Sequence, residues 1–169
     1  VMDISEKLVT TAARDALGTT VIEIRGEQID LANPWPRKRM IDYASEGTGV
    51  ELHPSMPIAD VRKVAADHDV FVEDRWGAGK IIEELFEKTS ESSIVRPTFV
   101  TGHPTEISPL ERVDRNDPFL TERFEIFVDG RELGNGYSEL NDPVEQRARF
   151  EDEQAAKEAG DPEAGSVDE

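Results

Sequence analysis

The sequence contains no cysteine and has too few basic residues to balance its acidic ones. The lack of cysteine excludes disulfides, thiolate zinc sites and cysteine nucleophiles, and it agrees with a reducing, cytoplasmic location. Lysine and arginine number 19 against 37 aspartates and glutamates, which gives a formal net charge of −18. Because cations drive binding to phosphate backbones, we expect this chain alone not to attract a nucleic acid. Any basic surface for such a partner would lie elsewhere in a larger protein.

Long apolar runs are also missing. No stretch approaches the roughly 18–20 residues that a bilayer-spanning helix needs, so we expect no membrane interaction. Residues 1–8 mix charged and apolar side chains and do not resemble a signal peptide. Hydrophobic residues make up 37% of the 169 positions, enough for the core of one ordinary domain.

Hydrophobic periodicity predicts that residues 1–95 are mainly helical, with one small hairpin. The predicted helices cover residues 4–17, 39–46, 57–68 and 80–88, and the predicted strands cover 20–25 and 28–31. Gly18 is expected to end the first helix, and Gly26-Glu27 is expected to turn the hairpin.

Residues 96–159 have a different pattern, typical of antiparallel strands followed by a helix. The predicted strands cover residues 97–101, 119–128 and 132–140, with a proline-rich loop over 103–119 and a helix over 143–159. Residues 160–169 are acidic and are predicted to form a terminal loop. The whole pattern predicts an α+β fold.

Two glutamates flank the strongest turn signal of the chain. Asp129-Gly130 lies between alternating segments, which predicts a two-residue hairpin turn. In a regular ladder three pairs then face each other: Val128 with Arg131, Phe127 with Glu132, and Glu125 with Gly134. Glu125 and Glu132 would therefore share a face as diagonal neighbours, about 7–8 Å apart.

Two neighbouring carboxylates repel each other unless a cation or a proton intervenes. Magnesium prefers one or two carboxylates together with substrate phosphates, so Glu125 and Glu132 suit a magnesium–nucleotide site. The alternative is that they form the wet face of a half-buried sheet whose other face, with Phe124 and Ile126, is turned toward the core.

A second polar set follows on the same strand. Asn135, Tyr137 and Glu139 alternate and share a face, which in a regular strand is opposite to that of Glu132. Strand glycines mark bulges or close approaches, and a bulge near Gly134 would turn this set toward Glu132. A glutamate beside an aromatic ring and an amide could receive an ammonium group. The alternative is that the asparagine and the glutamate cap the following helix.

Several segments, in order, resemble the class II lysyl-tRNA synthetases between their motifs 2 and 3. The most specific are residues 98–110, 122–125, 130–142 and 146–150, and upstream similarities are Gly18-Thr-Thr, Ile29-Asp-Leu, Pro34-Trp-Pro-Arg37 and Met40. His103 stands where many members have tyrosine before proline, and it is given no role.

The resemblance implies roles for the two polar sets. Glu125 and Glu132 are similar to the residues that bind ATP and Mg²⁺, whereas no side chain of this chain is expected to act as a covalent catalyst. Asn135, Tyr137 and Glu139 resemble the lysine-binding residues, with Glu139 nearest the ammonium group. The implied partners of the full-length enzyme are lysine, ATP, tRNA(Lys) and a second copy of itself.

The implied activity is that of a lysine–tRNA ligase, which forms lysyl-adenylate from lysine and ATP and transfers the lysyl group to tRNA. Motif 1, motif 2, motif 3 and the anticodon-binding domain are not recognised, so we expect an internal piece that is inactive alone. Two alternatives stay open: a paralogue that lysylates a translation factor or a lipid, and a non-catalytic fragment or acidic interaction module.

Weaker signals predict structure rather than chemistry. The stretch Trp76-Gly-Ala-Gly-Lys80 lacks the spacing and the hydroxyl residue of a phosphate loop, so it is interpreted as a helix entry. The histidines at 53, 68 and 103 have no metal-ligand spacing and are expected at the surface or in packing positions. Trp35 and Trp76 are predicted to be packing anchors.

Overall fold

A computed structural model describes residues 1–158 of the chain, apart from the side chains of residues 153 and 156. The predicted acidic segment over residues 160–169 lies outside the described residues. The predicted division into residues 1–95 and 96–159 stays a prediction.

Five α-helices of the described residues lie close to the predicted ones. They are α1 (Met2–Leu17), α2 (Met40–Thr48), α3 (Ile58–Asp67), α4 (Ala78–Thr89) and α5 (Pro143–Glu158). Helix α1 ends at Gly18 as predicted, where a φ of 73° gives the left-handed cap that a side chain would oppose.

The small hairpin is formed by β1 (Val21–Ile24) and β2 (Glu27–Asp30). Ile24 pairs with Glu27, so the turn is Arg25-Gly26, and the predicted turn at Gly26-Glu27 is wrong by one residue. Arg25 and Gly26 have φ values of 51° and 80°, the two successive positive values of a type I′ turn. Glycine adopts a positive φ without steric cost, and this register, unlike the predicted one, places glycine at the second position of the turn.

The main sheet has four strands in the order β3-β4-β5-β6, which are Arg37–Arg39, Thr98–Thr101, Arg123–Val128 and Arg131–Tyr137. The β4–β5 and β5–β6 pairs are antiparallel, whereas β3 is parallel to β4. Strand β3 was not predicted, because three charged residues carry no strand pattern and its last residue, Arg39, fell in a predicted helix. The α+β prediction is confirmed, with a mixed sheet.

Helices α2 and α4 pack on one face of this sheet, α3 packs against α4, and together they form the main core. Phe86 of α4 packs edge-on against Phe127 of β5, with 5.8 Å between the ring centroids. The same cluster includes Val100 of β4, so it joins residues from both predicted parts of the chain.

The other face of the sheet carries a smaller aromatic cluster against α1. Phe99 lies 5.4 Å from Trp35 and 5.5 Å from Phe124, measured between ring centroids, and Met2 and Val9 of α1 pack on them. Trp35 is therefore a packing anchor, as predicted. Within residues 1–158, no helix has the length and apolar character needed to cross a membrane.

We predict that Phe86→Ala, in the protein that carries this chain, lowers the free energy of unfolding by about 3–5 kcal/mol. The ring is 2% exposed and its loss leaves a cavity between α4 and β5. Phe71→Ala is the matched control, because Phe71 is 74% exposed and its truncation should change stability by less than about 1 kcal/mol. Denaturant unfolding measures both, and equal losses would contradict the proposed core.

Candidate active site

The β5–β6 hairpin turns at Asp129-Gly130, as predicted, with φ values of 58° and 68°. Its tip is fixed to the rest of the fold. The backbone amides of Asp129 and Gly130 donate to the carbonyls of Val95 and Ile94 at 3.0 and 2.9 Å. Arg25 Nε lies 2.5 Å from the Asp129 carboxylate. The hairpin is therefore held by the segment before β4 and by the small hairpin.

A β-bulge interrupts the pairing of the two strands. Phe127 pairs with Glu132 as predicted, but Ile126 pairs with Gly134, which leaves Leu133 as an extra residue on β6. The bulge predicted near Gly134 is confirmed. The predicted pairing of Glu125 with Gly134 is wrong, because the extra residue shifts the register and brings Asn135 opposite Glu125.

This shift places four of the predicted site residues on one face. Directly opposite residues of an antiparallel pair share a face, so Asn135 lies beside Glu125 and on the side of Glu132. The Asn135 amide donates a hydrogen bond of 3.3 Å to Glu132 Oε1. Tyr137, 36% exposed, follows on the same face opposite Arg123.

Glu139 lies two residues beyond Tyr137, outside the strand proper. It pairs with Glu111 in an isolated antiparallel bridge, and its side chain is exposed. Glu132 and Asn135 are exposed as well, whereas Glu125 is only 8% exposed. The predicted set thus combines one buried carboxylate with an open row of polar side chains along β6.

Gly136 faces the opposite side and has a packing role. A Cβ at this position would come within 2.7 Å of the Phe124 ring, so the glycine makes room for the aromatic cluster. The close approach expected of a strand glycine is here an approach of the core and not of a ligand.

Burial dominates the electrostatics of Glu125. Burial is the main cause that raises the pKa of this carboxyl to about 7; Arg123 lowers the pKa, and the charges of Glu132 and Glu83 add to the increase. Glu91 has a raised pKa too, because of burial and the charge of Glu132. This face therefore carries more negative charge than its arginine neutralises, and a bound cation would relieve the repulsion.

The carboxylates fit a metal ion that arrives with a substrate. Among residues 1–158, no group of three histidine, cysteine or acidic side chains is arranged to hold a metal. Glu125 and Glu132 alone leave most coordination positions to phosphate oxygens and water, which suits Mg²⁺ on a nucleotide. They do not suit a permanent structural ion.

The sequence analysis missed Arg123, which lies between two buried acids. Its Nη2 donates to Glu125 Oε1 at 2.6 Å, and its Nη1 lies 3.8 Å from Glu111 Oε1. A signal was available, because Arg123 and Glu125 are two residues apart on a strand and so share a face. Nothing in the sequence pointed to Glu111, which reaches the arginine from a distant loop.

His103 is fully buried beside this pair, in agreement with its predicted packing role. Its Nε2 lies 3.3 Å from the Val100 carbonyl and 3.9 Å from Glu125 Oε2, and its Nδ1 has no hydrogen-bond partner. Burial, helped by the charge of Arg123, lowers the pKa of His103 to about 3. The imidazole is therefore neutral at physiological pH.

The glycine-rich stretch before α4 is a helix entry, as predicted. Gly77 precedes the helix, and the amides of Gly77 and Gly79 donate to the two carboxylate oxygens of Glu106 at 2.7 and 2.8 Å. A side chain of the same protein thus occupies the place that a phosphate would take at a helix N-terminus.

A cavity of about 630 Å³ opens where β5 and β6 approach the start of α1. Arg123 and Tyr137 line it, together with Arg37, Arg39 and Met2. Glu125, Glu132, Asn135 and Glu139 are not among its lining residues, so of the five predicted site residues only Tyr137 borders this cavity.

A family model described as class II tRNA synthetases (D, K and N) matches residues 1–166. Among curated proteins, the lysine–tRNA ligase of Bacillus subtilis (strain 168) is 44% identical over 169 residues, which cover 100% of this chain and 34% of that protein. The lysine–tRNA ligase of Moorella thermoacetica (strain ATCC 39073 / JCM 9320) is 44% identical over 168 residues, 99% of this chain and 34% of that protein. The chain thus spans about a third of the length of the curated relatives that it matches.

We predict that His103 makes the protein less stable as the pH falls below about 6.5. Since its folded-state pKa is about 3, the unfolded state binds more protons between pH 6.5 and 3, and stability decreases as the pH is lowered through that window. The loss is at most about 1.4 kcal/mol per pH unit.

The measurement compares urea unfolding of the wild-type protein and His103→Tyr at pH 7, 6, 5 and 4. A constant offset between the two proteins is immaterial. The wild type should lose stability relative to the variant at each step down, and two parallel pH profiles would contradict a buried, neutral His103.

Proposed function

The chain belongs to the class II tRNA synthetases (D, K and N), and on this premise we propose that it carries part of the active site of a lysine–tRNA ligase. The observation that carries the proposal is the shared face of β5 and β6, where the bulge sets Glu125, Glu132 and Asn135 side by side. The names of the relatives support lysine as the amino acid, because they are lysine–tRNA ligases.

We assign Glu125 and Glu132 to Mg²⁺ and ATP. Both carboxylates are on one face, and Glu125 Oε2 accepts no hydrogen bond from any residue that the structure describes. A magnesium ion at this position would neutralise the triphosphate charge and assist the departure of pyrophosphate. The two side chains would orient the phosphates, with Glu125 supported from within the protein and Glu132 reaching from the open edge.

We assign Asn135, Tyr137 and Glu139 to lysine. A carboxylate that faces an ammonium group gives a charge-assisted contact that neutral amino acids cannot form. Selectivity for lysine would then come from Glu139, with the Tyr137 ring lying along the aliphatic stem and the Asn135 amide anchored by Glu132. The hydrogen bond from Asn135 to Glu132 would couple the lysine subsite to the nucleotide subsite.

The proposed chemistry has two steps. The carboxylate of lysine attacks the α-phosphate of ATP, which releases pyrophosphate and gives lysyl-adenylate. A hydroxyl of the 3′-terminal adenosine of tRNA(Lys) then attacks the lysyl carbonyl carbon, forms the ester and releases AMP. Such transfers depend on positioning and charge neutralisation more than on a covalent protein group. No side chain of this chain is assigned a covalent role.

The remaining partners are proposed at the level of the whole protein. We expect lysine, ATP and tRNA(Lys) as ligands, a homodimer as the assembly and the cytoplasm as the location. The chain itself, with its net charge of −18, should contribute little to binding tRNA.

We predict opposite selectivities for two substitutions, one on β6 and one just beyond its end. Glu139→Gln in the full-length protein should raise the KM for lysine at least about 100-fold and leave the KM for Mg-ATP within about twofold, because it removes the charge that faces the ammonium group. Glu132→Gln should weaken Mg-ATP because it removes the charge, and it should leave lysine nearly unchanged because the glutamine oxygen can still accept the hydrogen bond from Asn135. Lysine-dependent exchange of pyrophosphate into ATP measures both constants.

The matched control is Glu51→Gln, which makes the same chemical change at an exposed position away from the hairpin. It should behave as the wild type. An unchanged dependence on lysine in Glu139→Gln would contradict the assignment of this residue to lysine. Equal effects of Glu139→Gln and Glu132→Gln on both substrates would contradict the division into two subsites.

A further inference from the structure

Arg123 is fixed on several sides by the protein itself. Its Nη2 donates to Glu125 Oε1 at 2.6 Å, and its Nη1 lies 3.4 Å from both the Ile107 carbonyl and Ser108 Oγ. The side chain is 18% exposed, and its Nε is buried without a hydrogen-bond partner. The guanidinium donors are thus directed into the protein and not toward an incoming phosphate.

The second anchor of Arg123 is the loop that carries Ser108 and Glu111. Ser108 is fully buried, Glu111 is 6% exposed, and Glu111 Oε2 accepts a hydrogen bond of 3.0 Å from the Leu110 amide. Arg149 of α5 braces the same loop, because its Nη1 donates to the carbonyls of Ser108 and Glu111 at 3.0 and 2.9 Å. Arg123 therefore links Glu125 to a loop that is itself held by hydrogen bonds from α5.

The contact engages only one oxygen of Glu125. Oε1 is bound by Arg123, whereas Oε2 has His103 Nε2 as a neighbour at 3.9 Å, beyond hydrogen-bonding distance. A carboxylate held by one oxygen presents the other in a fixed direction. Binding sites gain affinity when the side chains that form them are fixed in this way before the ligand arrives.

We propose that Arg123 is a positioning residue for the nucleotide site: it holds Glu125 by Oε1 so that Oε2 is presented to the metal ion of Mg-ATP. The inference rests on the proposed function and adds a residue to it. As a positive charge close to a cation site, Arg123 opposes Mg²⁺ binding by Coulomb's law, so its benefit has to come from geometry.

Arg123→Lys separates geometry from charge. Lysine keeps the positive charge but has a single ammonium group, which cannot hold Glu125, the Ile107 carbonyl and the Ser108 hydroxyl together as the planar guanidinium does. If only charge mattered, Mg-ATP binding would stay the same. If positioning matters, binding should weaken about tenfold, as expected when one hydrogen bond to a charged group is lost.

The matched control is Arg149→Lys. It changes the same residue type at a position on α5 that contacts the same loop, and it leaves the contact between Arg123 and Glu125 in place. Any general loosening of the loop should appear in both variants, whereas a specific loss of Mg-ATP affinity should appear only in Arg123→Lys. Ser108→Ala is a milder second variant, which removes one anchor of Arg123 and keeps every charge. It is used if Arg123→Lys does not fold, and it should weaken Mg-ATP about two- to threefold.

The experiment is calorimetric titration of the full-length protein with a non-hydrolysable ATP analogue in the presence of Mg²⁺, and separately with lysine. Steady-state KM and kcat values for ATP and lysine accompany it. We expect Arg123→Lys to raise the Kd of the Mg-nucleotide and the KM for ATP about tenfold, with lysine binding changed less than about twofold and Arg149→Lys close to the wild type.

Unchanged nucleotide affinity in a folded Arg123→Lys variant would overturn the inference, and so would equal losses for nucleotide and lysine. For Ser108→Ala, the same two results would overturn it. Failure of the proposed function gives a different result, because the wild-type protein itself would then bind neither lysine nor the Mg-nucleotide.

Discussion

The bulge at Leu133 gives β6 one residue more than a regular β5–β6 ladder, and this extra residue determines which side chains share a face. Without it, Glu125 would lie opposite Gly134, and Asn135 would point with Phe124 toward the aromatic cluster under α1. With it, the polar row of β6 joins the carboxylates of the hairpin. The bulged residue is 63% exposed, so the fold gains little from burying it, and its consequence is the register that it imposes.

The same face brings acidic side chains close together, and one of them, Glu125, is buried. Glu125 shares a face of the sheet with Phe127, which packs against Phe86 of the helical layer. Burial is the main cause that raises the pKa of Glu125 to about 7. Arg123 compensates one charge and at the same time links β5 to the Ser108–Glu111 loop. Stability and ligand binding thus make opposite demands on one carboxylate, which is common where a buried group serves a binding site.

Local patterns were sufficient for most of the fold. Asp129-Gly130 predicted the hairpin and Gly18 the end of α1, because turn and cap chemistry depend on adjacent residues. The three-residue strand β3 was not predicted, because residues 37–39 form a strand only through their pairing with the edge of β4. Gly26 was recognised as a turn residue, but its position within the turn depends on the pairing of β1 with β2.

The candidate site likewise has features that the sequence predicted and features that it could not predict. Glu125, Glu132 and the need for a bulge followed from strand alternation and from the glycines around Asn135. The contact between Arg123 and Ser108 bridges 15 residues of chain and the link from Arg149 to Ser108 bridges 41, so both depend on how loops fold back. No pattern of neighbouring residues encodes such contacts.

The carboxylate of Glu106 at the start of α4 has a consequence for the glycine-rich stretch beside it. A tethered acid competes with free anions at an effective concentration of roughly millimolar or more. It binds the amides of Gly77 and Gly79 with both oxygens, so a phosphate would have to displace two hydrogen bonds and then sit beside the displaced negative charge. The helix N-terminus is in this sense already saturated by its own chain, and its dipole stabilises the fold at that point instead of recruiting a ligand.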